Sequence, residues 1–317
     1  VDAQNTRVVP VGDQAIAEAA ALIRMGRPVA VPTETVYGLA ADATSAPAVA
    51  GIYAAKGRPS FNPLIVHVAS LDQAELYGLF SGPARALAAT FWPGALTLVV
   101  PERPGSGLAP AVTAGLGTVA LRCPAHPAMQ ALLTAAGRPL AAPSANASGS
   151  ISPTRAGHVL TGLGGLIPLI LDGGATERGV ESTIVAVEGG AVRLLRPGPI
   201  PLAEILAVAP AASERAPGRI EAPGQLRSHY APAKPLRLDA ESALTGEWLI
   251  GFGAVDGDDN LSPSGDLDEA AARLFDALHR ADRQDRPRIA VAPIPAAGIG
   301  LAINDRLTRA AAPLGDR

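Results

Sequence analysis

Short apolar runs recur through the first two-thirds of this chain, alternating with alanine-rich stretches and with turns built on Gly and Pro. That alternation limits the fold more than any other feature. VAVP at 29–32, LIVHV at 64–68, LTLVV at 96–100, TVALR at 118–122, LIPLIL at 166–171, STIVAV at 182–187 and AVRLLR at 191–196 read as strands. Ile16–Met25, Ala46–Ala55, Ala84–Thr90, Ala128–Ala136 and Thr154–Leu163 read as helices. Interleaved strands and helices predict an α/β sheet. The EGG turn at 188–190 joins the last two strands as a hairpin, so the sheet is expected to be mixed, not purely parallel.

At 317 residues the chain is long enough for about two domains, and 48% hydrophobic with 17% charged residues it can fill substantial cores. Between about 207 and 235 the periodicity stops and prolines gather, which marks a linker. Beyond it, EWLIGFG and RIAVAPIP are strands. DLDEAAARLFDALHRAD (266–282) is an amphipathic helix with Leu267, Ala270, Ala271, Leu274 and Leu278 on one side and Asp266 as its N-cap. The expected division is a domain at 1–207, a linker or lid at 208–235 and a smaller α/β domain at 236–317, whose polar residues form no catalytic cluster. HYAP at 229–232 is unusual for a connector, and its aromatic is suited to folding back over a pocket.

Several classes are disfavoured. A net charge of −3 argues against broad capture of nucleic-acid backbone. A lone cysteine, Cys123, excludes an internal disulfide framework and any CxxC centre. No apolar run has the length of a membrane span, and VDAQNTRVVPVGD lacks the pattern of a signal peptide, so the cytoplasm is the expected location.

The chemistry gathers in two segments, Pro32–Val68 and Ala142–Thr154. Lys56 and Arg58, separated by one glycine, suit an oligophosphate, with lysine as point charge and arginine as fork; a solvated turn is the plain alternative. No Walker A pattern is present, so a nucleotide site here is not of the P-loop kind. His67 lies on the strand face opposite Leu64, Val66 and Val68, with no His or Cys at ligand spacing, which leaves hydrogen bonding to a substrate or a satisfied core position. Thr118 and Arg122 share a strand face, and Arg122 is placed to clamp a carboxylate. Ser144 and Asn146 offer hydroxyl and amide from a small-residue loop, unless they only form a local turn. Thr33, Glu34, Thr35 and Tyr37 follow a strand end, where helix capping is the ordinary role, and Ser182 and Arg196 sit in the late hairpin.

These segments, with WPGALT at 92–97, Thr118–Pro124, Glu181–Ile184 and LLRPG at 194–198, resemble the Sua5/YrdC/YwlC family of threonylcarbamoyl-AMP synthases. The resemblance covers nearly all of residues 8–205 in order. KGR and SAN match the family's Lys-x-Arg and Ser-x-Asn elements. SHYAP, NLSPSGDLDEAAARLF at 260–275 and GLAINDRLTRAA are similar to its longer, two-domain Sua5 type. The resemblance implies a YrdC-like twisted, mixed, open sheet with flanking helices and a smaller Rossmann-like C-terminal domain. It implies a nucleotidyltransferase that makes L-threonylcarbamoyladenylate from L-threonine, bicarbonate or CO2 and ATP, releasing pyrophosphate, for the N6-threonylcarbamoyl group on adenosine 37 of tRNA. Thr35, His67, Arg122 and Ser182 would hold L-threonine. Lys56, Arg58, Asn62, Thr118, Ala142, Ser144, Asn146, Ser152, Arg196 and Tyr230 would hold ATP. Lys56 and Arg58, with Mg2+ on the phosphates, would stabilise developing charge. The product would pass to a tRNA threonylcarbamoyl transferase complex, with no stable nucleic-acid binding by this chain. No general base is identified; Glu34 is near in order only. Two competitors are an RNA-binding protein, which the charge balance opposes, and a carbamoyl-phosphate-using maturation protein, whose zinc-finger modules need cysteines this chain lacks.

Overall fold

Ten strands pair into a single sheet in the computed structural model, which describes residues 5–59, 61–212, 221–224 and 228–312. They are β1 (Arg7–Pro10), β2 (Val29–Val31), β3 (Gly38–Asp42), β4 (Ile65–His67), β5 (Leu96–Pro101), β6 (Thr118–Arg122), β7 (Leu140–Ala141), β8 (Leu169–Asp172), β9 (Thr183–Glu188) and β10 (Ala191–Arg196). The order is β1-β8-β2-β3-β7-β4-β6-β5-β9-β10. β4 runs parallel to β6 and β5 to β9, while β5 opposes β6 and β9 opposes β10, so the sheet is mixed as the hairpin implied. β1 and β3 were not legible as strands. In GLAAD the small residues gave no pattern, yet all five are buried between neighbouring strands. The segment at 166–171 pairs only from Leu169, because Leu166 is still in the turn that closes the preceding helix, its N–H reaching Leu163 O at 3.0 Å. That helix begins at Ala156, not Thr154, and the first helix begins at Asp13, not Ile16.

One face of the sheet is covered along its length by helices 46–56, 82–91 and 156–163, whose Ile52, Leu87 and Val159 pack with Leu39, Val66 and Leu98. On the other face, helices 13–24 and 127–136 cover only the β8-β2-β3-β7 side. The remaining strands present Ile65, Val99, Ala120, Ile184 and Ala186, which among the described residues cluster with Ala222 and not with a helix. Strand alternation puts His67 on the face of Ile65 and Arg122 on the face of Ala120. The uncovered stretch of sheet is therefore where the polar candidates point.

The second sheet has four parallel strands, β11 (Leu236–Arg237), β12 (Glu247–Gly251), β13 (Asp259–Asn260) and β14 (Arg288–Val291), in the order β11-β14-β12-β13. Helix 267–282 is capped by Asp266, which accepts from Glu269 N at 2.8 Å, and buries Ala270, Ala271, Leu274 and Leu278 as the periodicity predicted. The apolar cluster built on this helix also takes in Val36, Ile151, Val180 and Tyr230 of the first body, so the two bodies share a core.

The stretch expected to be a linker is in large part packed. Helix 202–208 places Ile205 and Ala209 in the main core, and Val192 N donates to Pro210 O while Ala212 N donates to Val192 O. The chain thus stays on the first body through Ala212, past the expected end at 207. Tyr230 is buried between the two bodies. Residues 213–220 and 225–227 of the expected lid lie outside the described residues.

Gly179 sets how closely the bodies approach. Its φ is +68°, and a Cβ there would fall 2.2 Å from Ala271 O and 2.5 Å from Ala272 Cα on helix 267–282. Gly179→Ala is expected to destabilise the full chain by about 2–4 kcal/mol through overpacking and left-handed strain, lowering its melting temperature by several degrees. An unchanged melt would show that the helix yields at no cost.

Candidate active site

The site grows from the turn after β2. Thr33 Oγ1 accepts from the backbone N–H of Thr35 and Val36, both at 3.2 Å, and lies 2.7 Å from Val36 O. The turn is therefore held by a side chain and does not begin a helix, against the capping expectation. The hydroxyls of Thr33 and Thr35 are 2.8 Å apart, and Arg122 Nη1 donates to Thr35 Oγ1 at 2.9 Å. Arg122 Nε donates to Gly94 O at 3.1 Å, and Nη2 lies 2.7 Å from Glu34 Oε1 in a buried ion pair. Three partners thus fix the guanidinium. Burial would raise the Glu34 carboxyl, but the charge and hydrogen bonding of Arg122 outweigh it and hold Glu34 below its ordinary value. Sequence reasoning gave Glu34 no partner; it is the buried counter-ion of Arg122.

Ser182 and Arg196 meet on the opposite wall. Arg196 donates through Nε and Nη2 to Ser182 O at 3.1 and 3.0 Å and through Nη2 to Ser182 Oγ at 3.1 Å, and Ser182 Oγ is 2.8 Å from Thr97 Oγ1. Arg58 donates to Asn62 O at 3.2 Å and Pro63 O at 2.8 Å. Burial is the main influence on it and lowers it to about 10, which leaves it charged at neutral pH. Lys56 Nζ donates to Ser144 O at 2.5 Å and Asn146 O at 2.6 Å, tying the helix exit to the Ser/Asn loop. The solvated-turn alternative is corrected: Lys56 is 3% and Arg58 8% exposed.

Thr35, Arg58, His67, Arg122, Ala142, Ser144, Ser182, Arg196 and Tyr230 line one cavity, joined by Glu181 and His229. Lys56, Asn62, Asn146 and Ser152 stand behind that wall. Asn146 Nδ2 donates to Ala147 O and Ser150 O, and Ser152 Oγ donates to Glu181. Thr118 is not brought to Arg122. They share a face, but four residues of strand separate them by about 13 Å, and Thr118 is not among the residues that line the cavity. His67 Nδ1, both amide atoms of Asn62 and Tyr230 Oη are buried without a hydrogen-bond partner. Each such atom costs about 1–3 kcal/mol, and their gathering around one cavity is the signature of a polar ligand.

The cover is made by 221–224 and 228–231. Tyr230 has φ +63°, uncommon for a bulky residue. Gly224 has φ +84°, and a Cβ there would come 2.6 Å from Tyr230 Oη and 3.0 Å from Arg196 Cδ. Only a glycine lets this strand of the cover lie on both. The cavity beneath has room of about 50 Å3, enough for water but not for a nucleotide. Among the described residues, no group of three or more His, Cys, Asp or Glu is arranged to hold a metal ion, and no helix is long and apolar enough to cross a membrane.

Glu181, His229 and Arg306 were missed as site residues. Glu181 adjoins a chosen serine, and Arg306 interrupts the buried stripe Ala302, Ile303, Leu307, Ala310 of helix 300–310, a legible signal.

Comparison with known proteins follows the same division. Residues 21–198 match the model of the Sua5, YciO and YrdC family, described as "Telomere recombination". Residues 200–312 match "Threonylcarbamoyl-AMP synthase, C-terminal domain". The chain is 44% identical to the threonylcarbamoyl-AMP synthase of Bacillus subtilis, covering 94% of this chain and 93% of that one. It is 40% identical to that of Pyrococcus abyssi, over 92% of each. The crystal structure of P. abyssi Sua5 complexed with L-threonine superposes with a TM-score of 0.87 at 37% identity over 96% of both chains. The chain belongs to the Sua5, YciO and YrdC family and has the two-domain Sua5 form.

Three histidines make the fold sensitive to mild acid. Burial is the main cause that pulls His67, His229 and His279 from 6.5 down to about 3. The folded chain keeps them neutral while the unfolded chain takes up protons below about 6.5. Stability is therefore whole above that pH and falls as pH drops toward 3, by at most about 1.4 kcal/mol per pH unit for each histidine. Glu34 and Glu181, whose values are lowered, add losses only below about 4.5. Thermal melts at constant ionic strength should decline already between pH 6.5 and 5; a flat response would mean these rings protonate freely in the fold.

Proposed function

We propose that this chain is a threonylcarbamoyl-AMP synthase, condensing L-threonine, bicarbonate or CO2 and ATP to threonylcarbamoyl-AMP and pyrophosphate. The observation that carries the reading is one covered cavity with a rigidly held arginine at one end, Arg122, and two further arginines, Arg58 and Arg196, in its walls. A carboxylate and an oligophosphate together match that charge pattern.

Residue roles follow from position. Arg122, oriented by Thr35, Gly94 O and Glu34, receives the threonine carboxylate, with Ser182 and His67 completing that subsite. His67 Nδ1 stays neutral and serves as a hydrogen-bonding atom, not an acid. Arg58 and Arg196 take phosphate oxygens, with Ser144 and the backbone at Ala142 beside them. Lys56, which burial and then the neighbouring Arg58 push well below its ordinary value, holds the Ser/Asn loop from behind. Asn62 and Asn146 support the same wall, Ser152 acts through Glu181, and Thr118 is assigned to the far end of the nucleotide. Tyr230 closes the cover. The neutral amine of threonine adds to CO2, forming an N–C bond and losing a proton, and an oxygen of the resulting carbamate attacks the α-phosphorus, forming the O–P bond as the bond to pyrophosphate breaks. Charge grows on the phosphoryl oxygens, where fixed arginines act most strongly out of water. Mg2+ carried on the triphosphate would neutralise part of its charge. Glu34 is a poor general base, since Arg122 lowers its affinity for a proton. The substrates exceed the 50 Å3 of room, so the cover at 221–224 and 228–231 must move to admit them. Water exclusion then protects the adenylate from hydrolysis until a tRNA-modifying transferase receives it. We place the domain boundary after Ala212 and the enzyme in the cytoplasm, with no stable hold on nucleic acid.

Incubation with threonine, bicarbonate and ATP should yield the adenylate and pyrophosphate; no product would refute the reading. Arg122→Lys is the informative variant, since it keeps a charge for Glu34 but loses the fork. Threonine affinity measured by calorimetry on the folded variant should fall about tenfold or more, with ATP affinity nearly unchanged and the melt lowered by the lost hydrogen bonds to Thr35 and Gly94 O. Equal threonine affinity would remove Arg122 from the subsite.

A further inference from the structure

The C-terminal domain reaches the cavity through one side chain. Arg306 is fully buried, yet it spends most of its donors on the other domain. Nε donates to Glu181 Oε2 at 2.9 Å and Nη1 to Pro197 O at 2.8 Å, and the guanidinium lies 5.4 Å from the centroid of the Tyr230 ring. Nη1 also meets Asp305 at 2.9 Å, but Asp305 has a second cation in Arg309 at 3.0 Å. Among the described residues Glu181 forms an ion pair with Arg306 and with no second cation. Its other oxygen takes the Ser152 hydroxyl, and its next neighbour, Ser182, carries the carbonyl and hydroxyl that hold Arg196.

Glu181 lines the cavity that Arg58 and Arg196 also line. A buried carboxylate without a counter-ion there would repel a polyanion and draw Arg196 to itself. We propose that Arg306 is a positioning residue for the nucleotide. It neutralises Glu181 from behind the cavity wall, which leaves Arg196 free for phosphate oxygens, and its flat guanidinium supports the ring of Tyr230. The catalytic domain thus gains a working nucleotide subsite only when helix 300–310 is docked, and this is the role of the C-terminal domain in the reaction. Burial is the largest influence on the Glu181 carboxyl and would raise it, yet Arg306 first and Arg196 second hold it lowered; the two arginines act on one carboxylate as the argument requires.

The proposal rests on the nucleotide reading above, and binding measurements on the full chain separate the two. In calorimetric titrations Arg306→Gln should weaken ATP about 10- to 100-fold, while threonine, bound at the Arg122 end, stays within about twofold. The double variant Arg306→Gln with Glu181→Gln removes the unpaired charge and should recover most of the lost ATP affinity. Arg306→Lys, which keeps the charge, should lie between wild type and Arg306→Gln. A purely structural role predicts that the double variant binds no better than the single one, and that result would overturn the proposal, as would wild-type ATP affinity in Arg306→Gln. Should Arg306→Gln fail to fold alone, the double variant decides: folding with ATP affinity restored supports the counter-ion role, and failure of either overturns it. ATP that does not bind the unaltered chain refutes the nucleotide reading and this proposal with it.

Discussion

Buried positive charge is the constraint around which this protein is arranged. Lys56, Arg58, Arg122, Arg196 and Arg306 are all buried within or against one cavity, with only Glu34 and Glu181 as buried carboxylates among them. Burying a cation costs several kcal/mol unless it is paired or well solvated by dipoles. The chain meets that cost mainly with main-chain carbonyls. Lys56 has Ser144 O and Asn146 O, Arg58 has Asn62 O and Pro63 O, Arg122 has Gly94 O, Arg196 has Ser182 O and Arg306 has Pro197 O. Carbonyls orient a cation without cancelling its charge. The cavity therefore stays electropositive and rigid, which suits a polyanion that must be held in one geometry while charge moves along it.

That arrangement explains why the second domain shares a core with the first. Carbonyl dipoles hold cations only if the segments that carry them cannot drift, and the carbonyls in question belong to Asn62 and Pro63, Gly94, Ser144 and Asn146, Ser182 and Pro197. The joint cluster of Val36, Ile151, Val180 and Tyr230 with Phe275 pins the turn after β2, the Ser/Asn loop and the cover onto helix 267–282. At the same interface His158 and His279 stack at 3.9 Å, His158 pairs with Asp276 and His279 meets Ser152 O. Burial of apolar area supplies the favourable energy, and the polar contacts fix the register of one domain against the other.

Much of this was legible in the sequence, and the failures have physical causes. Strand alternation alone sets His67 opposite Leu64, Val66 and Val68 and puts Arg122 beside Ala120, because period two is strict within a strand; that face is the one no helix covers. The same rule overreached for Thr118, since sharing a face says nothing about distance along it. Lys56 and Arg58 look like a solvated turn because charge and glycine normally mark a surface; only the three-dimensional course of the chain brings the carbonyls of Ser144 and Asn146 to Lys56 and turns those of Asn62 and Pro63 back onto Arg58. The connector shows the same limit: the fold-back of HYAP was legible, the close packing of its neighbours was not. Proline and the lack of periodicity describe a chain without regular structure, and such a chain can still pack closely when each residue meets a fixed wall, as Ala222 and Tyr230 do. Arg306 carried a readable signal, a charge on the buried stripe of an amphipathic helix, but its partner Glu181 lies 125 positions away and no local rule connects them.

The cover follows from the same electrostatics. Tyr230 sits in a left-handed backbone conformation between a guanidinium of the second domain and the arginines of the first, with its hydroxyl unpartnered. A strained residue with an unspent donor does not persist at the lowest energy of an empty pocket unless its neighbours hold it there. Phe275 and Arg306 supply that hold from the second domain, and Gly224 allows the other half of the cover to lie against it. Opening the cavity means lifting Tyr230 off Arg306. Arg306 also neutralises Glu181, so the cover and the charge balance of the phosphate-facing wall hang on one side chain, and a polyanion entering that wall bears on the segment that closes over it.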